Sequence, residues 1–388
     1  VAGALDGIIV ADFSRVLAGP YATMLLADLG ATVVKVERPG AGDDTRSWGP
    51  PYAADGQATY FQSVNRNKAS IDLDLSNADD LSIARELAAR ADVMVENYKP
   101  GGLDRFGLDY EQVRIANPSV IYCSISGFGS GAGKDLPGYD LLVQAMGGLM
   151  SITGTTEPTK AGVAVVDVLT GLHASVAMLA ALHHRDLTGA GQRIEVTLLA
   201  ALLSSLVNQA SAYVGAGAIP GYMGNAHPSI APYEVFGTAD RAMVIAVGND
   251  GQFAKLATVL GRPGLAENPA YATNAARVEH RDALKQEVEA LLSPRGADDW
   301  QRLITTAGVP CGPINDISQG FALATRLGLD PVAAIVDERR SEPVSTVANP
   351  AHLSGTPVSY RSAPSGVGED REAVLRLLGL APRDGHGP

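Results

Sequence analysis

The strongest constraint on the fold is the regular alternation of short apolar runs with stretches of helical spacing. "GIIVADFS" (7–14) is followed by "AGPYATMLLADLG" (18–30), closed by Gly30, and then by "ATVVKVERP" (31–39). The cycle repeats with "KASIDLDL" (68–75), "ADDLSIARELAARA" (78–91) and "DVMVENY" (92–98). Runs of this length, separated by helices, are strands buried on both faces, so the expected fold is α/β with a doubly wound parallel sheet. In such a sheet ligands bind beyond the carboxyl ends of the strands.

The turn after the first strand argues about the ligand. A dinucleotide fold needs G-x-G-x-x-G there, whereas this chain has "SRVLAGP" (14–20) with Gly19 alone. NAD and FAD are therefore disfavoured. With 42 acidic against 30 basic side chains, a net charge of −12, the surface repels polyanions, which argues against nucleic acid and anionic membranes. A small polyanion can still bind where cations gather, and they recur at the expected strand ends: Arg38, Arg66, Lys68, Lys99, Arg105 and Lys134. Each taken alone also reads as a solvated surface charge.

Cys123 and Cys311 have no metal or redox spacing and read as reduced, structural thiols, and the seven histidines are dispersed without a zinc pattern. No metal and no tightly bound cofactor are expected. Apolar stretches such as "VTLLAALLSSLV" fall short of the ~18 residues of a span. No signal-like start is evident, so the expected location is the cytoplasm.

One residue is out of place. Asp167 stands in "AGVAVVDVLTGLHASV" (161–176) among apolar neighbours. If "AGVAVV" is a buried strand and a helix follows, Asp167 is a helix N-cap. The other reading is a nucleophile or base held in a dry site. Local pattern favours the cap.

The ordered motifs "VADFSRVLAGPYATMLLADLGATVVKVERPGAGDDTR", "NRNKASIDLDL", "VENYKPGGLDRFGLDY", "ISGFG", "PGYDLLVQAMGG", "VAVVDVLTGLHA", "HPSIAPYEVF", "VGNDGQF", "NPAYATNAARVEHRDAL" and "GVPCGPIND" together resemble the class III CoA-transferases, the family of formyl-CoA transferase and carnitine CoA-transferase. The likeness covers nearly the whole chain. It implies a large Rossmann-like domain from 1–205 and a return segment 325–388, a linker 206–236, a smaller α/β domain 237–324, and a homodimer whose subunits interlock. It also implies that Asp167 is a nucleophile exchanging CoA between an acyl-CoA and a carboxylic acid through mixed anhydrides and an aspartyl-CoA thioester. Coenzyme A, as its thioester, is then a co-substrate.

By the same resemblance Val16, Leu17, Arg38, Asn67, Lys68, Asn97, Lys99 and Arg105 match CoA-binding positions, and Tyr139, Asp140 and Gln144 lie by the acyl site. Gly248, Asn249 and Gln252 occupy the place of a glycine-rich loop over the active site, although only Gly248 and Gly251 are glycines here. "GNDGQF" and "HPSIAPYE" look most like members that use succinyl-CoA and small dicarboxylic acids, and Arg15, Arg46 and Arg66 are candidates to hold a second carboxylate.

A sister activity, α-methylacyl-CoA racemase, needs an acid/base pair. Its histidine is replaced by Tyr139, a phenol of pKa ~10 that is a poor base near neutrality. A non-catalytic CoA-binding protein is the alternative from another class. His173, His183 and His184 read as core or surface, and His227 as a loop residue.

Overall fold

A computed structural model describes residues 2–380. Residue 1 and residues 381–388 of the expected terminal segments lie outside the described residues. The described chain forms two compact units, one built from residues up to 149, 161–218 and from 330 onward, the other from 150–160 and 219–329.

In the first unit β1 (Ile9–Asp12), β2 (Thr32–Glu37), β3 (Lys68–Asp72), β4 (Val93–Glu96), β5 (Ile121–Ser126) and β6 (Gln192–Thr197) form one sheet in the order β3-β2-β1-β4-β5-β6. Every neighbouring pair is parallel. Successive side chains of a strand point to opposite faces, and both faces are apolar. Val10, Val93, Val95, Ile121 and Cys123 pack on one side with Leu26 and Met178. Ala11, Val34, Met94 and Tyr122 pack on the other with Leu87 and Val374. Strand order reverses between β1 and β4, so the loops leaving these two strands border a crevice.

The expected strand 161–166 is absent. Residues 161–164 are loop, and a helix runs Val165–Thr188. The apolar run that looked like a strand is the approach to this helix. By length and composition the helix could cross a bilayer, being longer than the apolar stretches of the sequence predict for any segment. One face, with Val166, Ala174, Met178, Ala181 and Leu182, is instead buried in the sheet core.

The second unit carries β7 (Tyr233–Phe236), β8 (Met243–Ala246) and β9 (Cys311–Pro313), an antiparallel sheet covered by helices. The stretch expected as linker 206–236 is not all linker, because its first part is a helix, Val207–Ala216, in the first unit, and its end is β7. The chain after 330 adds β10 (Val332–Ile335) paired with β11 (Val344–Val347), and a helix Arg371–Leu377 whose Val374 joins the sheet core.

Candidate active site

Asp167 is the third residue of the helix Val165–Thr188, and it is not the cap. The residue preceding the helix, Ala164, offers no side-chain acceptor. The free amides are met by Asp140, from the helix Asp140–Met146, whose Oδ1 accepts from the N–H of Val166 at 2.8 Å and of Asp167 at 3.2 Å. Asp140 is itself steadied by the Gln144 amide, whose Oε1 accepts from the N–H of Ala161 at 2.8 Å. Another chain segment thus performs the capping. The Asp167 carboxylate accepts no hydrogen bond from the described residues, and it faces a cleft.

The helix lies as close to its neighbour as it does because of Gly171, one turn after Asp167. A Cβ there would sit 2.7 Å from the Ala18 carbonyl oxygen. Absence of that carbon lets this helix press against the helix Ala18–Asp28, bringing Asp167 beside the turn 15–18 at the carboxyl end of β1. In that turn Val16 has φ +70°, a left-handed conformation that a β-branched residue adopts only when its surroundings impose it. The imposing group is Asp43, whose carboxylate accepts the Val16 N–H at 3.2 Å while paired with buried Lys35 at 2.9 Å. Asn97, leaving β4, holds the same turn in both directions. Its Oδ1 accepts from the Arg15 N–H at 2.9 Å, and its amide donates to the Arg15 carbonyl at 2.7 Å.

Asp167 shares a cleft of about 260 Å³ with Val16, Leu17, Asn97, Lys99 and Tyr139. Arg38 and Arg105 line a second cavity of about 420 Å³, joined to the first along Arg15 and Tyr98. Arg105 stacks over Phe106 at 4.5 Å, and Arg38 pairs with Asp44. The two cavities, one with Arg38 and Arg105 and the other with the Asp167 carboxylate, suit a long ligand with a phosphate-bearing head.

Four of the expected contacts are hydrogen-bonded within the chain. Asn67 and Lys68 are buried with their polar atoms committed elsewhere. The Asn67 amide donates to Asp28 at 2.9 Å and to the Ser359 carbonyl at 2.8 Å, and its oxygen accepts from the N–H of Arg361 and Ser362. Lys68 Nζ donates to Asp12 at 3.1 Å, the Pro20 carbonyl at 2.8 Å and Asn65 at 3.0 Å. They tie the segment after 355 and the first helix to the sheet. Asn249 and Gln252 cap the helix Asp250–Val259. Asn249 Oδ1 accepts from the Gln252 N–H at 2.9 Å, and Gln252 Oε1 accepts from the Gly248 N–H at 2.7 Å.

Two of the arginines considered for a second carboxylate are likewise spent. Arg46 is bonded to Glu37, and Arg66 lies buried against Asp28. Replacing Asn67 with alanine is therefore expected to cost about 2–4 kcal/mol of stability, from four lost hydrogen bonds and a left-handed backbone at φ +62°, with the KM for acyl-CoA unchanged. A raised KM at unaltered Tm would return Asn67 to the ligand site.

The electrostatics single out Asp167. A helix N-terminus favours an anion by about 0.3–1 kcal/mol, less than one pKa unit. Burial, then the charge of Asp140, oppose it and push the Asp167 carboxyl up to about 7. Tyr60, packed with Val16, Leu17, Ala164 and Val168, was not anticipated from the sequence. Burial and the carboxylates of Asp167 and Asp140 push its phenol up to about 12, so it stays a hydrogen-bond donor. Nothing local in "QATYFQS" signals this, because its neighbours come from segments distant in sequence.

Comparison with known proteins shows the family. The sequence matches the profile of CoA-transferase family III over residues 5–371. It is 44% identical over 386 residues to the succinate–glutarate CoA-transferase of Agrobacterium fabrum, covering 96% of this chain and 95% of that one. It is 38% identical to the acetyl-CoA:oxalate CoA-transferase of Acetobacter aceti, over 98% of this chain and 97% of the relative. The crystal structure of a CAIB/BAIF family protein from Brucella suis superposes with a TM-score of 0.87 at 41% identity, over 97% of this chain and 100% of that chain. The match runs through the whole sheet and the Asp167 helix, and the chain belongs to CoA-transferase family III.

Proposed function

We propose that this CoA-transferase moves CoA between two carboxylic acids through covalent intermediates on Asp167, and that at least one of the acids is a small dicarboxylate. The observation that carries the mechanism is the Asp167 carboxyl: without a hydrogen-bond donor among the described residues, facing the cleft and pushed up to about 7. A carboxylate of that basicity is a stronger nucleophile than an ordinary one and is still substantially ionised near neutrality.

Asp167 attacks the thioester carbonyl, forming an anhydride with the acyl group and expelling the CoA thiolate. The thiolate attacks the aspartyl carbonyl, giving Asp167–CoA thioester and the free donor acid. An acceptor carboxylate attacks this thioester, forming a second anhydride and releasing the thiolate again. The thiolate then attacks the acceptor's carbonyl, so acyl-CoA leaves and Asp167 is restored. The apolar surroundings of Val16, Leu17, Ala164 and Val168 limit water, which would hydrolyse both intermediates. Support for a dicarboxylate comes from the relatives, named for succinate, glutarate and oxalate.

The direct test is trapping. After incubation with succinyl-CoA, hydroxylamine should convert Asp167 to its hydroxamate, seen as one modified peptide in a mass map. An unmodified Asp167 in active protein would refute the mechanism.

The homodimer is part of the same reading. Leu172, Val176 and Leu179, spaced four and three residues apart on the Asp167 helix, are 41%, 67% and 37% exposed. A second copy of the chain would cover this stripe. Light scattering should give twice the monomer mass.

A further inference from the structure

Three cations line the Asp167 cleft: Arg15, Lys99 and Lys134. Arg15 belongs to the phosphate side, since it also lines the Arg38 and Arg105 cavity and pairs with Asp44 at 3.2 Å. Lys99 is already among the residues matched to CoA. Lys134 has no role in the mechanism above. It is exposed and makes no ion pair among the described residues.

Its backbone, in contrast, is tightly placed. The loop 128–137 closes at a neck where Gly127 and Gly138 touch, and a Cβ on Gly127 would fall 2.4 Å from the Gly138 Cα. Inside the loop a Cβ on Gly133 would fall 2.5 Å from the Phe128 carbonyl oxygen. The Lys134 N–H donates to the Gly131 carbonyl at 3.2 Å, closing a turn. A closely packed loop thus presents an exposed cationic side chain to the cleft, which Tyr139 also lines.

A neighbouring cavity sets the charge of this side chain in contrast. Next to the cleft, a cavity of about 420 Å³ shares Lys99 and Lys134 with it. Its lining carries Glu96, Asp104, Asp109 and Glu111, together with Glu195, which is paired with Arg193 at 2.7 Å. An acid that presents one carboxylate to Asp167 has its other end within the same cleft, of whose three cations Lys134 alone is uncommitted. A second carboxylate is disfavoured by the acidic lining of the neighbouring cavity and attracted by Lys134, which borders both.

We infer that Lys134 is the specificity residue of this enzyme, holding the far carboxylate of a dicarboxylic substrate while the near one reacts at Asp167. The inference rests on the transferase reading above and adds the group that separates diacids from monoacids. A charge-assisted hydrogen bond of this kind corresponds to about tenfold or more in rate.

The test compares glutarate with the monocarboxylate of the same chain length as CoA acceptors, with succinyl-CoA as donor. In Lys134→Met the ratio of kcat/KM values, diacid over monoacid, should fall about tenfold, and Lys134→Arg should recover most of it. Lys134→Glu should shift preference toward an acid of the same length bearing an ammonium group at its far end. A purely structural role would change both acids alike and leave the ratio constant, which overturns the inference. So does a raised KM for succinyl-CoA at constant ratio, which would make Lys134 a CoA phosphate contact. Absence of all transfer by the wild-type protein, with Asp167 unmodified, would count against the transferase mechanism itself and is thereby distinguished.

Discussion

Asp167→Ala is expected to lower CoA transfer by at least about 10³-fold with every acid tested, because no neighbouring group can replace the nucleophile. Asp140 is engaged with the helix amides, and Tyr60 is held protonated. The mass-spectrometric adduct should vanish together with the activity. Full activity in the alanine variant would sink the mechanism, whereas an adduct relocated to Asp140 would assign the nucleophile to the neighbouring carboxylate.

Asp167→Asn should be just as inactive and yet more stable at pH 8. The folded protein raises the Asp167 carboxyl from its ordinary value of 3.8 to about 7, so the fold favours the protonated form. Its stabilising contribution is complete below the unfolded value and is lost as pH rises through the folded one. At pH 8 the wild type therefore holds an anion in a place that disfavours it, and the neutral amide relieves this by on the order of 2 kcal/mol, allowing for solvent access. The advantage should shrink as pH falls toward 4, where both side chains are neutral. Urea melts at the two pH values give the comparison, and an Asn variant less stable at pH 8 would contradict it.

The strands were readable because each is a local event. "IIVAD" and "DVMVE" are apolar on both faces, and a short continuous apolar run between helical stretches suffices to place them in a sheet covered on both sides. Asp167 was readable as an anomaly, but its surroundings were not. The acceptor for its helix comes from Asp140, 27 residues earlier, and a sequence pattern does not show that a distant side chain fills the cap position. "NRNKAS" misled for the same reason. Its polar groups resemble ligand contacts, but the partners of Asn67 and Lys68 stand 39 and 56 residues away, on Asp28 and Asp12. By contrast, the Asn249 and Gln252 arrangement is local. Asn followed three residues later by Gln, just after a strand, is a helix-start signal, so their capping role was available before the structure.

Asp140 has two separable effects, and two substitutions should divide them. Asparagine keeps an oxygen for the Val166 and Asp167 amides and removes the charge. Loss of a neighbouring anion lowers a carboxyl pKa, here by on the order of one unit at the effective dielectric of a partly buried site. The nucleophile must be ionised, so the ascending limb of the pH profile for single-turnover acylation, centred near 7 in the wild type, should move to lower pH in Asp140→Asn. Leucine removes the acceptor as well. The amides of Val166 and Asp167 are then unpaired, the first turn of the helix loosens, and stability falls by about 1–2 kcal/mol. Because a nucleophile displaced by about 1 Å loses on the order of 10² in rate, kcat should drop by that factor at every pH. If the asparagine variant kept the wild-type pH profile, burial alone would account for the raised carboxyl, and Asp140 would be left with only its hold on the helix start.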